Sequence, residues 1–289
     1  MNTAAPNTGS AARFIAAGAP PGRAPHASVV RERRMCGMRF CDVTLDEVVM
    51  LVDEQIAAGT PQCIVTPNVD HVCRYHRDDA FRAAYENAWL VLCDGMPIIW
   101  VSRLLGRPLR QKLSGSDLIT WLSGHAADRG YSVYFFGAQE GVAAEAADQL
   151  KRRFPALKIA GVHSPAFGFY ADPEANAAAT TLVRDARPDI VFVALGSPKQ
   201  EIWMHANACA CGAPVMIGVG AAFDFLSGRV KRAPVWMQRA SLEWVWRLYQ
   251  EPRRLWRRYL VEDALFLKLL LAELWSVYVS RPKPDSATS

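Results

Sequence analysis

The sequence predicts an α/β protein: a mostly parallel sheet with helices on both faces, continued into a helical C-terminal appendage. Three observations carry this. From Met38 onward, short apolar runs alternate with stretches of helical periodicity, the order expected of strands joined by crossover helices. The apolar runs end in small polar loops, where parallel sheets bind ligands. After about Pro234 the alternation stops, and Trp236, Trp244, Trp246 and Trp256 interleave with arginines.

Taken in order, Thr44-Leu-Asp-Glu47 is a capping box that opens a helix ending near Gly59. Cys63–Thr66 is a buried strand followed by Pro67-Asn68, then a helical stretch to about Ala88 and the strand Trp89–Cys93. Helices are expected over roughly 97–105 and 117–129. The strand Tyr131–Phe136 runs into Gly137, a helix covers about 141–154, and Leu157–Val162 is the next strand. A helix over about 174–186 precedes the strand Asp189–Leu195, a further helix follows Gly196, and Val215–Gly220 is the last clear strand. Pro252 suits the first position of a new helix in the appendage.

At 289 residues the chain can bury one large core, or one core plus an appendage, and its 51% hydrophobic composition is that of a globular protein. The Ala/Pro/Gly-rich residues 1–34 read as a disordered leader without the apolar core of a signal peptide. Residues 35–234 read as the core, 235–280 as the basic and aromatic appendage, and 281–289 as a disordered tail. No apolar run reaches the ~18 residues of a spanning helix; the nearest, Ala264–Val279, is broken by Lys268 and Glu273. The seven cysteines are scattered, several inside apolar strands, and read as reduced thiols of a cytosolic protein. No zinc set is present; His71 and His76, five apart, lie off one helical face and read as surface residues.

Asp94 immediately follows an apolar strand and precedes Gly95, whose missing side chain lets a ligand approach the backbone. It reads either as a general base at the sheet rim or as the N-cap of the helix beginning at Pro97. Thr66 is held extended by Pro67, with Asn68 just beyond; the pair reads as orientable hydrogen-bonding groups or as simple turn chemistry. Gly137-Ala-Gln-Glu-Gly141 and Gly196-Ser197 join strands to helices, where backbone N–H groups can hold phosphate or where glycine merely permits close packing. Gly218-Val-Gly220-Ala-Ala-Phe223 approximates a dinucleotide fingerprint, but Phe replaces the third glycine and no acidic partner follows, so NAD is rejected. No Asp-x-Asp occurs anywhere in the chain. That removes a common metal-holding motif of sugar transferases and leaves cationic side chains or backbone amides to neutralise a leaving diphosphate. The sequence calls for no cofactor.

Residues 229–258 hold nine basic and two acidic side chains, a net of +7 in a chain of net +5, so the remainder sums to −2. A concentrated cationic patch beside an α/β core points to an anionic partner: a ligand diphosphate, an anionic membrane surface or nucleic acid, against the plainer reading of a solvated face with core tryptophans.

Several segments carry a family resemblance. Thr66–Asn68, Cys93–Gly95, Ser114–Leu118, Phe135–Ala138, Ala194–Glu201, Gly218–Pro234 and Leu242–Tyr259 together resemble the WecG/TagA/CpsF bacterial glycosyltransferases of the N-acetylmannosaminyltransferase type. The resemblance covers about residues 38–260. It implies a Rossmann-like core and an inverting, metal-independent transfer. The sugar would pass from a UDP-sugar to a polyprenyl-diphosphate-linked saccharide, in cell-surface or exopolysaccharide synthesis. It implies Asp94 as the base, with Thr66, Asn68 and Gln200 shaping the pocket, and Arg247, Arg254 and Arg257 meeting the lipid diphosphate. Gly95, Lys112, Gly137, Gly196, Gly220 and Asp224, on the same rim, read as the substrate- and nucleotide-binding set. Lys112 stands where the family usually has Arg, which keeps the charge but loses the fork. The apolar segment after Tyr259 lies outside the clear motifs and reads as a lineage-specific membrane anchor. The partners implied are the donor, the lipid-linked acceptor and an anionic membrane surface on the cytoplasmic side. No nucleic acid is implied, and a homo-oligomer is compatible with the reading. The rival class is a Rossmann-like protein that binds a nucleotide or nucleic acid without catalysis.

Overall fold

A computed structural model describes residues 30–234, 236–237, 243–250 and 264–279. A β-hairpin opens it, β1 (Arg31–Met35) pairing antiparallel with β2 (Met38–Asp42). Its two-residue turn, Cys36-Gly37, has positive φ at both positions, the twist that matches a tight hairpin. The sequence pattern starts the core at residue 35 and marks no strand here. The exposed, charged Arg31–Arg34 half of β1 lacks the apolar signature, and strand formation there depends on pairing with the buried β2.

The capping box at Thr44 opens α1 (Leu45–Ala58), and Gly59 closes it in the left-handed conformation. Beyond it the sheet holds β3 (Gln62–Val65), β4 (Leu90–Val91), β5 (Ser132–Gly137), β6 (Lys158–His163), β7 (Ile190–Ala194) and β8 (Val215–Gly218), all parallel, in the order β4-β3-β8-β7-β5-β6. The helices that join or follow these strands are α2 (Val69–Tyr75), α3 (Asp79–Asn87), α4 (Met96–Leu104), α5 (Gly115–Arg129), α6 (Val142–Arg153), α7 (Pro173–Ala186), α8 (Lys199–Cys211) and α9 (Ala222–Leu226). The expected single helical stretch after Asn68 is two helices, because Asp78 caps a new start at Asp79.

Two apolar clusters line the two faces. One gathers side chains of α2, α3, α4, α7 and α8, the other those of α1, α5, α6 and α9. Neighbouring strands β5 and β7 therefore send their following helices, α6 and α8, to opposite faces. Such a switch opens a crevice outside the carboxyl ends of the strands, the usual ligand position in open α/β sheets. Trp203 anchors the α8 face: it is fully buried, stacks on Phe136 at 4.4 Å, and donates from Nε1 to Asn176.

In the appendage two helices are described, Glu243–Gln250 and Ala264–Tyr278. The second packs Phe266, Leu269, Leu270, Leu274 and Val277 against the α2–α4 cluster. Its Glu273 accepts from the Cys36 N–H and from Arg107 Nη1 at 2.9 Å, and Tyr278 donates to the Leu104 carbonyl at 2.5 Å. Its other side leaves Leu267, Leu271, Trp275 and Tyr278 exposed, and Trp100 and Leu104 of α4 are exposed as well. Among the described residues no helix is long and apolar enough to cross a membrane. All seven cysteines are free thiols, six of them buried.

Candidate active site

The rim at the carboxyl ends of β3 and β4 is stitched by backbone bonds. Asp94 N–H donates to the Pro67 carbonyl at 2.9 Å, and Leu113 N–H donates to the Cys93 carbonyl at 2.8 Å. Thr66, Asp94 and the Lys112 segment are thereby brought to one corner, although 46 residues separate the first from the last (112 − 66 = 46). The alternative reading of Asp94 as a helix cap does not hold. The N-cap of α4 is Gly95, with φ +131° and no side-chain capping bond. The Asp94 charge is felt by the buried Cys93 thiol and by Tyr85; Lys112 lies close enough to act on Cys93 in the opposite sense.

Asn68 does serve as a cap. Its side chain accepts from His71 N–H, and His71 Nδ1 accepts in return from Asn68 N–H, both at 3.3 Å. The expectation that His71 is a surface residue is corrected here: it is buried, 3.3 Å from the Tyr85 hydroxyl. Its ring lies against Phe81 and Tyr85 of α3, in a helix where only Val69 and Arg74 are not fully buried. His76 is exposed, as expected.

The Ser114-Gly-Ser-Asp117 segment is a joint. Ser114 caps α5, and a side chain at Gly115 would meet backbone atoms of Gly218 and Val219 at 3.0–3.1 Å, so α5 starts directly on the end of β8. Asp117 receives Ser114 Oγ at 2.6 Å and Arg232 Nη2 at 2.7 Å, with Lys112 Nζ at 3.9 Å. Burial alone would raise its pKa, but these bonds and charges outweigh it and hold the carboxyl below the usual range. Arg229 forks onto Glu145 with contacts of 2.9 and 3.1 Å. The patch is therefore less cationic than its own sequence indicates, since Arg229 and Arg232 face acids from α6 and α5.

On the β7–β8 side, Gln200 is buried; its Oε1 accepts from Gly220 N–H at 3.1 Å and its Nε2 donates to Glu201 Oε1 at 2.9 Å. Across the crevice, Gly137 at φ +105° lies against Ala194: an added Cβ would sit 2.7 Å from the Ala194 carbonyl oxygen, and Ala138 N–H already donates to that oxygen. Gly196 and Gly220 also take positive φ, at +74° and +54°, but with open space around them. Asp224 stands on α9, where its charge acts on Arg229.

Thus Thr66, Asp94, Gly95 and Lys112 form one corner of the rim, Gln200 and Gly220 a second, and Gly137 and Gly196 flank the crevice. Arg254 and Arg257 lie outside the described residues; Arg247 lies in the Glu243–Gln250 helix, where its side chain is not described. Glu201 was not singled out from the sequence. Only its place in the first turn of a helix whose next three residues, Ile202, Trp203 and Met204, are buried core could have marked it. Among the described residues no group of three metal-ligating side chains is gathered.

A rim built from these motifs matches one known family over most of the chain: residues 33–279 fit the "Glycosyl transferase WecG/TagA/CpsF family". The chain belongs to the WecG/TagA/CpsF family. It is accordingly a glycosyltransferase. Among relatives of this WecG/TagA/CpsF protein, one from Bacillus spizizenii is 38% identical over 197 residues, 68% of this chain and 74% of the relative. One from Bacillus subtilis strain 168 is 34% identical over 234 residues, 81% and 87% respectively. A Staphylococcus aureus relative is 28% identical over 194 residues, 67% and 74%. All three are named N-acetylglucosaminyldiphosphoundecaprenol N-acetyl-beta-D-mannosaminyltransferase.

Proposed function

We propose that this protein moves a sugar from a UDP-sugar to a polyprenyl-diphosphate-linked saccharide in cell-surface polysaccharide synthesis, with inversion and without a metal. The observation that carries the reading is Asp94. It stands just beyond β4, its backbone N–H bonded to the Pro67 carbonyl at the rim, and it is not the N-cap of α4. In this mechanism Asp94 takes the proton from the acceptor hydroxyl as that oxygen attacks the anomeric carbon, and the bond to UDP breaks on the opposite face. Backbone N–H groups at the Gly137 and Gly196 loops and cationic side chains of the appendage stabilise the charge growing on the departing diphosphate. Arg247, Arg254 and Arg257 hold the acceptor's diphosphate.

The relatives' printed names make an N-acetylmannosaminyl donor the first to test, with UDP-glucose next, against an undecaprenyl-diphosphate-linked N-acetylglucosamine acceptor. The expected result is a product heavier by one sugar residue, formed equally with and without EDTA. A missing product across the whole panel would overturn the reading, and loss of activity in EDTA restored by Mg²⁺ or Mn²⁺ would overturn its metal-free part.

Peripheral attachment to the cytoplasmic face of the membrane follows from the same reading. It is supported by the exposed apolar side chains of the Ala264–Tyr278 helix and α4, and by four arginines following Pro252. Four cations at about 1 kcal/mol each give reversible binding. Added salt is expected to release the protein from anionic liposomes, because exposed charges are screened within ~8–10 Å. Salt-independent sedimentation with neutral and anionic liposomes alike would remove the electrostatic part.

A further inference from the structure

We propose that Glu201 is a positioning residue for the donor site: it fixes the Gln200 amide, which in turn holds the Gly220 loop at the end of β8. The inference rests on the glycosyltransfer reading above and on Gly220 lying in its nucleotide site. Three facts lead to it. Gln200 cannot hold Gly220 N–H unless its own amide is oriented with Oε1 toward β8, since Nε2 in that place would set donor against donor. The group that enforces this orientation is Glu201 Oε1, which accepts from Gln200 Nε2 at 2.9 Å and, when ionised, can only accept. The space is also tight: a Cβ at Gly218 would lie 2.9 Å from Gln200 Nε2, so the amide is confined between β8 and the Glu201 carboxyl.

A carboxyl in that place is costly, which argues that it has a task. Glu201 is 2% exposed, and its Oε2 is buried without a hydrogen-bond partner at normal geometry. Burial pushes its pKa up to about 7, opposed by the Gln200 bond, a bond from its own backbone, the Ser197 hydroxyl and the positive charge of Arg74 on α2. The other ionisable groups facing this volume are Tyr85 of α3, on which the charges of Glu201, Asp70 and Asp94 all act, and His71, which lies beside the Tyr85 hydroxyl. Above about pH 7 the bond to Gln200 is therefore charge-assisted, and below it the bond becomes that of a neutral acid, which is roughly half as strong.

The test uses the full chain and three proteins: wild type, Glu201→Gln and Glu201→Ala. Glutamine keeps an acceptor oxygen for Gln200 but has no ionisation; alanine removes the acceptor. Hydrogen exchange at the Gly220 amide and steady-state transfer are both followed from pH 6 to pH 8. In the wild type, protection of the Gly220 amide is expected to fall several-fold as pH drops through about 7, and KM for the UDP-sugar to rise in parallel with little change in kcat. In Glu201→Gln both are expected to be flat across that range. In Glu201→Ala, Gly220 protection is lost and KM rises ~10-fold or more, about the worth of one hydrogen bond to a charged group. Wild-type protection that ignores pH overturns the proposal, as does a pH step that persists in Glu201→Gln. So does a Glu201→Ala protein that folds and keeps Gly220 protected. The exchange measurement needs no turnover, so absence of transfer by the wild type would count against the glycosyltransfer reading and leave the positioning result standing on its own.

Discussion

Asp94→Asn is expected to lower turnover by ~10²–10⁴, the usual worth of a general base, while UDP affinity and melting temperature stay near wild type. Asparagine is nearly isosteric and cannot take up the acceptor's proton at neutral pH. Asparagine also retains the backbone N–H that bonds the Pro67 carbonyl, and Gly95, not Asp94, is the N-cap of α4. Steady-state transfer and UDP titration on the same preparation check it. Near-normal turnover would remove Asp94 from the base role, and a collapse of melting temperature would show that the carboxylate is structural.

The second large effect is expected of Gly137→Ala. Here φ is +105°, a backbone conformation that alanine adopts only under strain, and the new Cβ would lie 2.7 Å from the Ala194 carbonyl oxygen and 2.8 Å from its carbon. Those atoms are backbone in the neighbouring strand and cannot swing aside. Backbone strain and overpacking of this kind together cost about 3 kcal/mol, roughly 6–12 °C in melting temperature for a domain near this size. Gly196→Ala is the matched control: φ is +74° but nothing lies within 4 Å, so only the smaller conformational cost applies. Comparable melting temperatures for the two variants would show that β5 and β7 do not approach so closely at the crevice.

The features legible in the sequence were those that depend on near neighbours. Alternating apolar runs and helical stretches set the α/β class, and the six core strands lie within a few residues of where the pattern put them. The Thr44 capping box and the Gly59 stop were readable because both are short-range hydrogen-bond chemistry. The glycines and polar residues of the rim were readable because a parallel sheet presents its strand ends on one side. β1 was not, because a charged strand is made by its partner.

What only the tertiary structure decided concerns groups that meet across long stretches of chain. The charge of residues 229–258 is counted correctly from the sequence, yet Arg229 finds Glu145 at a separation of 84 residues and Arg232 finds Asp117 at 115. The reading of Asp94 as the N-cap of α4 is removed by the helix start at Gly95. Glu201 and His71 look like ordinary polar residues of helix first turns; α3 and the sheet bury them. By itself the sequence determined which residues stand at the rim and that the family's motifs are present. The fold decided which of those residues have their charges and hydrogen bonds already engaged. That division has a physical cause: secondary-structure preference is set by the next few residues, whereas desolvation and ion pairing depend on segments that only folding brings together.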